Sequence, residues 1–174
     1  MLIRREQPQD VDPIGAVTSA AFRRAPNAGE PLETELVVRL RAGEGWLSRL
    51  SLVAVLDGLV IGHVVCTRAF VDQAPALGLG PLSVRPGHQG TGVGRALMHS
   101  VLGAAEALDE RLVCLLGDPG FYARFGFIPS TERGVAAPDP SWGDYFQARA
   151  LSLSSPSPAG AFRYAAAFAE LGLS

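Results

Sequence analysis

Val84-Arg85-Pro86-Gly87-His88-Gln89-Gly90-Thr91-Gly92-Val93-Gly94-Arg95 joins an apolar, strand-like run, Leu77 to Val84, to a run of helical period from Val93 to Leu108. Val93, Leu97, Val101, Ala105 and Leu108 carry that period. Pro86 stops the strand, and the glycines after it let the chain turn with its backbone bare. A strand that feeds a glycine-rich turn opening a helix gathers the unpaired N–H groups of the first helical turn, and the positive end of its dipole, around one point. Such a point suits a phosphate or diphosphate.

Spacing narrows the ligand. A dinucleotide loop needs Gly three positions after Gly92, where Arg95 stands, and a P-loop needs Lys then Ser or Thr after its last glycine. What stands here is Gln-x-x-Gly-x-Gly, Gln89 to Gly94, directly after Leu82-Ser83-Val84. The plain alternative is a tight strand-to-helix turn of the kind many α/β proteins make with glycine.

The 174 residues fit a single domain, 1–174. With 15 Lys+Arg against 17 Asp+Glu and a pI near 5.9, the chain lacks the basic face that nucleic acids demand, so no nucleic-acid partner is expected. Hydrophobic residues make up 48%, yet no apolar run approaches the roughly 20 residues that span a bilayer, and Met1 to Arg5 reads as no signal peptide. The expectation is a cytoplasmic protein without a membrane partner. Cys66 and Cys114 fall in apolar runs as small buried hydrophobes, and His63, His88 and His99 lack ligand spacing, so no metal is expected.

Along the chain, Leu2 to Arg4 reads as a strand, Asp10 as the N-cap of a helix to about Ala21, and Leu32 to Ala42 as a second helix after a loop containing Pro26, Asn27 and Pro31. Leu50 to Leu56 and Leu59 to Arg68 flank Asp57-Gly58, a strong hairpin signal. Leu77 to Val84, Leu112 to Leu116 and Phe146 to Leu153 read as further strands, with a short helix beginning at Asp118-Pro119. Pro156 to Gly160 leads to a C-terminal segment holding Phe162, Tyr164 and Phe168.

This order of elements and the Gln89 to Gly94 loop resemble the GCN5-related N-acetyltransferases (GNAT) over nearly the whole chain. A second match is Gly120-Phe121-Tyr122-Ala123-Arg124-Phe125-Gly126-Phe127. The run Gly117-Asp118-Pro119 into that segment, with Arg163 to Phe168, is similar to the YhbS-like group of predicted acetyltransferases. The resemblance implies an α/β (α+β) fold with a central, mixed but mostly antiparallel sheet, splayed where acetyl-CoA binds and flanked by helices. It implies that backbone groups of Leu82, Ser83 and Val84 take the pantetheine arm, and that Gln89, Gly90, Thr91, Gly92, Val93, Gly94 and Arg95 take the diphosphate. Arg95 also reads as a solvated first-turn cation.

The same resemblance makes Tyr122 the acid that protonates the departing thiolate, and the Val84 amide the holder of the oxyanion. The base stays open: Leu77 to Val84 has no carboxylate, leaving Glu30, Glu33, Glu35, Asp118 or a water chain, while His63 reads as a structural histidine. The activity expected is transfer of the acetyl group to a small-molecule or peptide primary amine in a ternary complex. The alternatives are a non-catalytic acyl-CoA-binding regulatory domain, or a transferase of longer acyl groups or onto an O-acceptor. Trp142, Tyr145 and Phe146 are candidates for the acceptor wall, and the apolar C-terminal segment for a homodimer face.

Overall fold

The computed structural model describes residues 1–25, 29–151 and 157–173. Strand β1 (Leu2–Arg5) leads to helices α1 (Val11–Phe22) and α2 (Leu32–Ala42), then to long strands β2 (Trp46–Leu56), β3 (Leu59–Val71) and β4 (Ala74–Val84). After the glycine turn come α3 (Val93–Glu106), β5 (Leu112–Leu116), the single turn α4 (Pro119–Tyr122) and two-residue strands β6 (Ile128–Pro129) and β7 (Val135–Ala136). β8 (Phe146–Ala150), β9 (Gly160–Arg163) and α5 (Ala166–Glu170) follow.

The strands join in the order β1-β2-β3-β4-β5-β8-β6, with β9 on the far end of β3 and β7 beside β9. Every pairing is antiparallel except β4 with β5 and β7 with β9. This is the mixed, mostly antiparallel α/β arrangement that the family resemblance implied. At the first hairpin Asp57 and Gly58 both take positive φ, +50° and +79°, which matches the twist of the flanking strands.

Alternation of side chains splits the core in two. On one face α3 sets Leu97, Met98 and Val101 against Ile61, Val64, Cys66 and Leu79. Gly62 permits that approach, because a Cβ there would stand 2.9 Å from Leu97 Cδ1. On the other face α1 and α2 bring Ile14, Val17 and Val37 onto Val53, and Leu36 and Leu40 onto Val65 and Ala69. Each such fully buried aliphatic side chain stabilises the fold by about 1.5–3 kcal/mol.

Several expectations need correction. Asp10 stands at the N-cap of α1 but does not cap it; its carboxylate accepts the Gln7 N–H at 2.8 Å and the Arg4 guanidinium at 2.9 Å. β2 reaches back to Trp46, β3 on to Val71 and β4 back to Ala74, since both hairpins pair over nearly their whole length. The strand from Phe146 ends at Ala150; Pro26, Asn27, Leu153 and Pro156 lie outside the described residues. Phe162, Tyr164 and Phe168 are buried in the chain's own core, which withdraws them from a dimer face.

Candidate active site

β4 and β5 are paired at only two positions, Leu77 with Val113 and Gly78 with Cys114. Just beyond, the register of β4 on β3 steps from Leu79 opposite Cys66 to Leu82 opposite Val64, so β4 carries one extra residue at Gly80-Pro81. Such a bulge bends its strand, and from here β4 leaves β5 to form a fork. The Arg85 amide donates to the Ile61 carbonyl at 2.9 Å, so the alternation of an antiparallel ladder turns the N–H and C=O of Leu82 and Val84 away from β3. The N–H and C=O of Leu82 and the N–H of Val84 face the fork as a strand edge without a β partner, able to pair with an extended amide chain, while the Val84 carbonyl accepts from Gln89. Ser83 points the other way, where its hydroxyl meets Thr18 Oγ1 of α1 at 3.1 Å.

The fork opens onto the glycine turn. Gly92 is the N-cap of α3 at φ +94°, and the first helical bond runs from the Ala96 N–H to the Gly92 carbonyl at 2.9 Å. The amides of Val93, Gly94 and Arg95 therefore precede the helical ladder. A Cβ at Gly90 or Gly92 would meet nothing within 4 Å, so the space before these amides is open. Gly94 sits beside Val84, Leu82 and Phe121, 3.6–4.0 Å from where its Cβ would be. Gln89 ties the turn to the strand, its Nε2 donating to the Val84 carbonyl at 3.0 Å, and Thr91 Oγ1 donates to the His88 carbonyl at 2.7 Å. Arg95 is exposed on the first turn.

Tyr122 ends α4, whose start is capped by Asp118 accepting the Gly120 N–H at 2.9 Å. Its ring lies over Gly117, where any Cβ would collide with it, and meets Phe121 and Phe127 edge-on at 4.9 and 5.9 Å. Burial, with the charge of Asp118 adding, pushes the phenol up to about 12. It keeps its proton at neutral pH. Tyr122, Phe121, Leu82 and Val84 border one apolar cluster with α3, so the second motif and the loop share a face of the sheet.

The carboxylates weighed as bases are largely engaged elsewhere. Glu35 pairs with Arg39, Glu30 lies exposed 3.7 Å from Arg23, and Asp118 is a cap. His63 is fully buried, its Nε2 2.9 Å from Ser51 Oγ, and Ser51 donates to Glu6, which also holds Arg41 at 2.6 Å. Burial drives the His63 pKa down, against the pull of Glu6. Phe146 is fully buried and Trp142 packs on it at 5.8 Å, so of the three candidate wall aromatics Tyr145 alone is strongly exposed. Among the described residues no group of three metal-ligating side chains occurs, and no helix is long and apolar enough to cross a membrane.

Two features went unread in the sequence. Gly78-Leu79-Gly80-Pro81 is the bulged base of the fork, and glycine inside a strand run is the signal that marks such a site. Tyr164, one of the aromatics of the C-terminal segment, packs its ring on Gly78, where a Cβ would stand 2.7 Å from Cδ1. The Leu116 amide faces its hydroxyl. It also lines a cavity of about 660 Å³ between the end of α2, the end of β3 and the C-terminal segment.

The fork, the glycine turn and the tyrosine beside them define a class: the chain belongs to the GNAT acetyltransferase family, and the acetyltransferase (GNAT) domain model matches residues 48–129. Among its relatives is YhbS of Escherichia coli K12, described as an uncharacterized N-acetyltransferase, 33% identical over 155 residues that cover 87% of this chain and 88% of YhbS. YjhQ of the same organism, of like description, is 33% identical over 136 residues, 75% of this chain and 72% of its own. Two crystal structures superpose along nearly the full length. The Brucella melitensis GNAT acetyltransferase in complex with acetyl-CoA is 37% identical, with 96% and 97% of the chains covered and a TM-score of 0.76. YhbS in complex with CoA is 30% identical, with 97% and 91% covered and a TM-score of 0.84.

Proposed function

We propose that the protein transfers the acetyl group of acetyl-CoA directly to a primary amine while both substrates are bound. The observation that carries this reading is the fork, with the Leu82 and Val84 backbone edges turned into it and open amides at its mouth. Pantetheine amides pair with that edge, and the diphosphate lies on the amides from Gln89 to Arg95, where Gly92 and Gly94 let it approach. The donor supplies an activated thioester; the protein supplies position, an oxyanion donor and a proton.

The amine nitrogen bonds to the carbonyl carbon, the Val84 N–H holds the oxygen that becomes negative, and the C–S bond breaks. Tyr122 gives its phenolic proton to the departing sulfur and regains one from solvent, while the amine's surplus proton leaves to water. Cys66 and Cys114 are buried with their thiols pushed far up by that burial, which argues against an acyl-enzyme. The cytoplasm suits this use of acetyl-CoA.

A thiol-release assay over an amine panel, paired with calorimetry of CoA, tests the reading. Tight CoA binding with turnover of at least one amine supports it; no CoA binding refutes it. One observation favours a second reading, a non-catalytic acyl-CoA sensor: β4 carries no acidic residue to serve as a base. Binding without turnover of any amine would select that one.

A further inference from the structure

We infer that Gln147 is a positioning residue for the transfer step: it holds the Gly117 carbonyl and so fixes the peptide on which the ring of Tyr122 rests. The inference rests on the reading above in which Tyr122 is the acid. Gln147 lies on β8 opposite Leu115 of β5 and is 1% exposed. Its neighbours Phe146 and Ala148 pack with Leu36 and Leu40 on the face that α2 covers. Alternation therefore sends Gln147 to the other face, the one that Leu115, Phe127 and Tyr122 share with α3.

There its Nε2 donates to the Gly117 carbonyl at 2.8 Å, across 30 positions of sequence. The N–H of Gly117 donates to the Tyr145 carbonyl at 2.9 Å. In an antiparallel ladder that carried on past Leu116 and Phe146, the Gly117 carbonyl would take the Tyr145 N–H in return. β5 ends at Leu116, and the side chain of Gln147 supplies that second bond instead. Both polar groups of Gly117 are thus held from the β8 side.

What is held is the seat of Tyr122. A Cβ at Gly117 would stand 2.9 Å from Tyr122 Cδ2, so the ring lies directly on this backbone. Gly117 also leads into the Asp118 cap, which starts the single turn that Tyr122 ends. The ring's other neighbours, Phe121 and Phe127, meet it edge-on through carbon alone, and no polar bond of theirs sets its depth. A glutamine buried on an apolar face must give up the hydration of its amide, which an apolar side chain of the same size need not do. What the amide supplies in exchange is direction: its bond orients Gly117, and through Gly117 the phenol. A shift of about 1 Å in a reacting group costs up to about 10²-fold in rate.

Crystal structures of the wild type and Gln147→Met with CoA bound test this without an acceptor, since methionine fills the space but donates no hydrogen bond. The Tyr122 hydroxyl should lie beside the CoA sulfur in the wild type and about 1 Å or more from that position in the variant; an unmoved hydroxyl overturns the inference. In thiol release, Gln147→Met should lower kcat about tenfold or more, while the KM for acetyl-CoA and the affinity for CoA by calorimetry hold within about threefold. In a Tyr122→Phe background the same substitution should change kcat less than about twofold, because the group it positions is gone. A kcat that Gln147→Met leaves unchanged, or an equal loss in both backgrounds, overturns the positioning while the acid reading stands. A Tyr122→Phe variant that turns over like the wild type, or a wild-type hydroxyl that stands away from the sulfur, refutes the acid reading and the inference with it. Gln147→Leu serves in every arm if the methionine variant fails to fold by circular dichroism.

Discussion

Replacing Tyr122 by Phe removes one oxygen and leaves the ring where it is. The contacts that hold it, over Gly117 and edge-on to Phe121 and Phe127, involve carbon atoms alone, so thermal stability should stay within about 0.5 kcal/mol of wild type. CoA affinity should hold as well, since the strand edge and the glycine turn are untouched. The loss should appear in turnover, where a positioned acid contributes about 10²–10⁴-fold, or roughly 2.7–5.4 kcal/mol of barrier. Because the phenol is pushed up to about 12, its deprotonation lies beyond the assay range and kcat should show no basic limb from Tyr122 below pH 10. The assay is thiol release with the best amine of a panel, run at saturating acetyl-CoA from pH 6 to 10. A kcat within threefold of wild type, or a KM for acetyl-CoA that rises as much as kcat falls, would refute the assignment of Tyr122 as the acid.

Gly94→Ala places a methyl in ordinary contact with Val84 and Leu82, so melting should barely move while CoA affinity drops about tenfold or more by calorimetry, about 1.4 kcal/mol or more. His63 is depressed in the folded chain, so the stability it contributes is present above 6.5 and is lost as pH falls below that value; His63→Gln should flatten the melting temperature between pH 6.5 and 5. For Glu6, burial acts upward but His63 at 3.7 Å and hydrogen bonds from Arg41 and Ser51 prevail and hold it at about 2; its contribution is present above 4.5 and lost toward pH 2, and Glu6→Gln should remove that acid dependence.

The hairpin at Asp57-Gly58, the stripe of α3 and the glycine turn were legible because each depends on neighbours within a few positions. So was the Asp118 cap. The site's polar surroundings were harder, because they are made by residues far apart in sequence. Glu6, directly after β1, meets Ser51 of the neighbouring β2 and Arg41 of α2, both distant in sequence, which turns an isolated acid into a buried, paired one. Asp10 was misread as a helix cap for the same reason: Arg4, on the strand before it, claims the carboxylate. Phe146 falls in a run that reads as a strand, but its burial was not legible: the pairing of β8 with β5 and the aromatics of the C-terminal segment draw it inside and out of any acceptor wall.

The far end of β3 has one edge that β2 does not reach; there Phe70 and Val71 pair with Arg163 and Phe162, their opposite edge being held by Pro75 and Ala74 of β4. During synthesis that edge waits for roughly 90 further residues, on the order of 5–20 s at the ribosome's usual pace of ~5–20 residues/s. For that interval a flat apolar strand end stands open to neighbouring nascent chains. Yield in expression should accordingly depend on chaperone supply and temperature more steeply than equilibrium stability would suggest, and a peptide copying residues 158–166, added during translation, should compete for that edge.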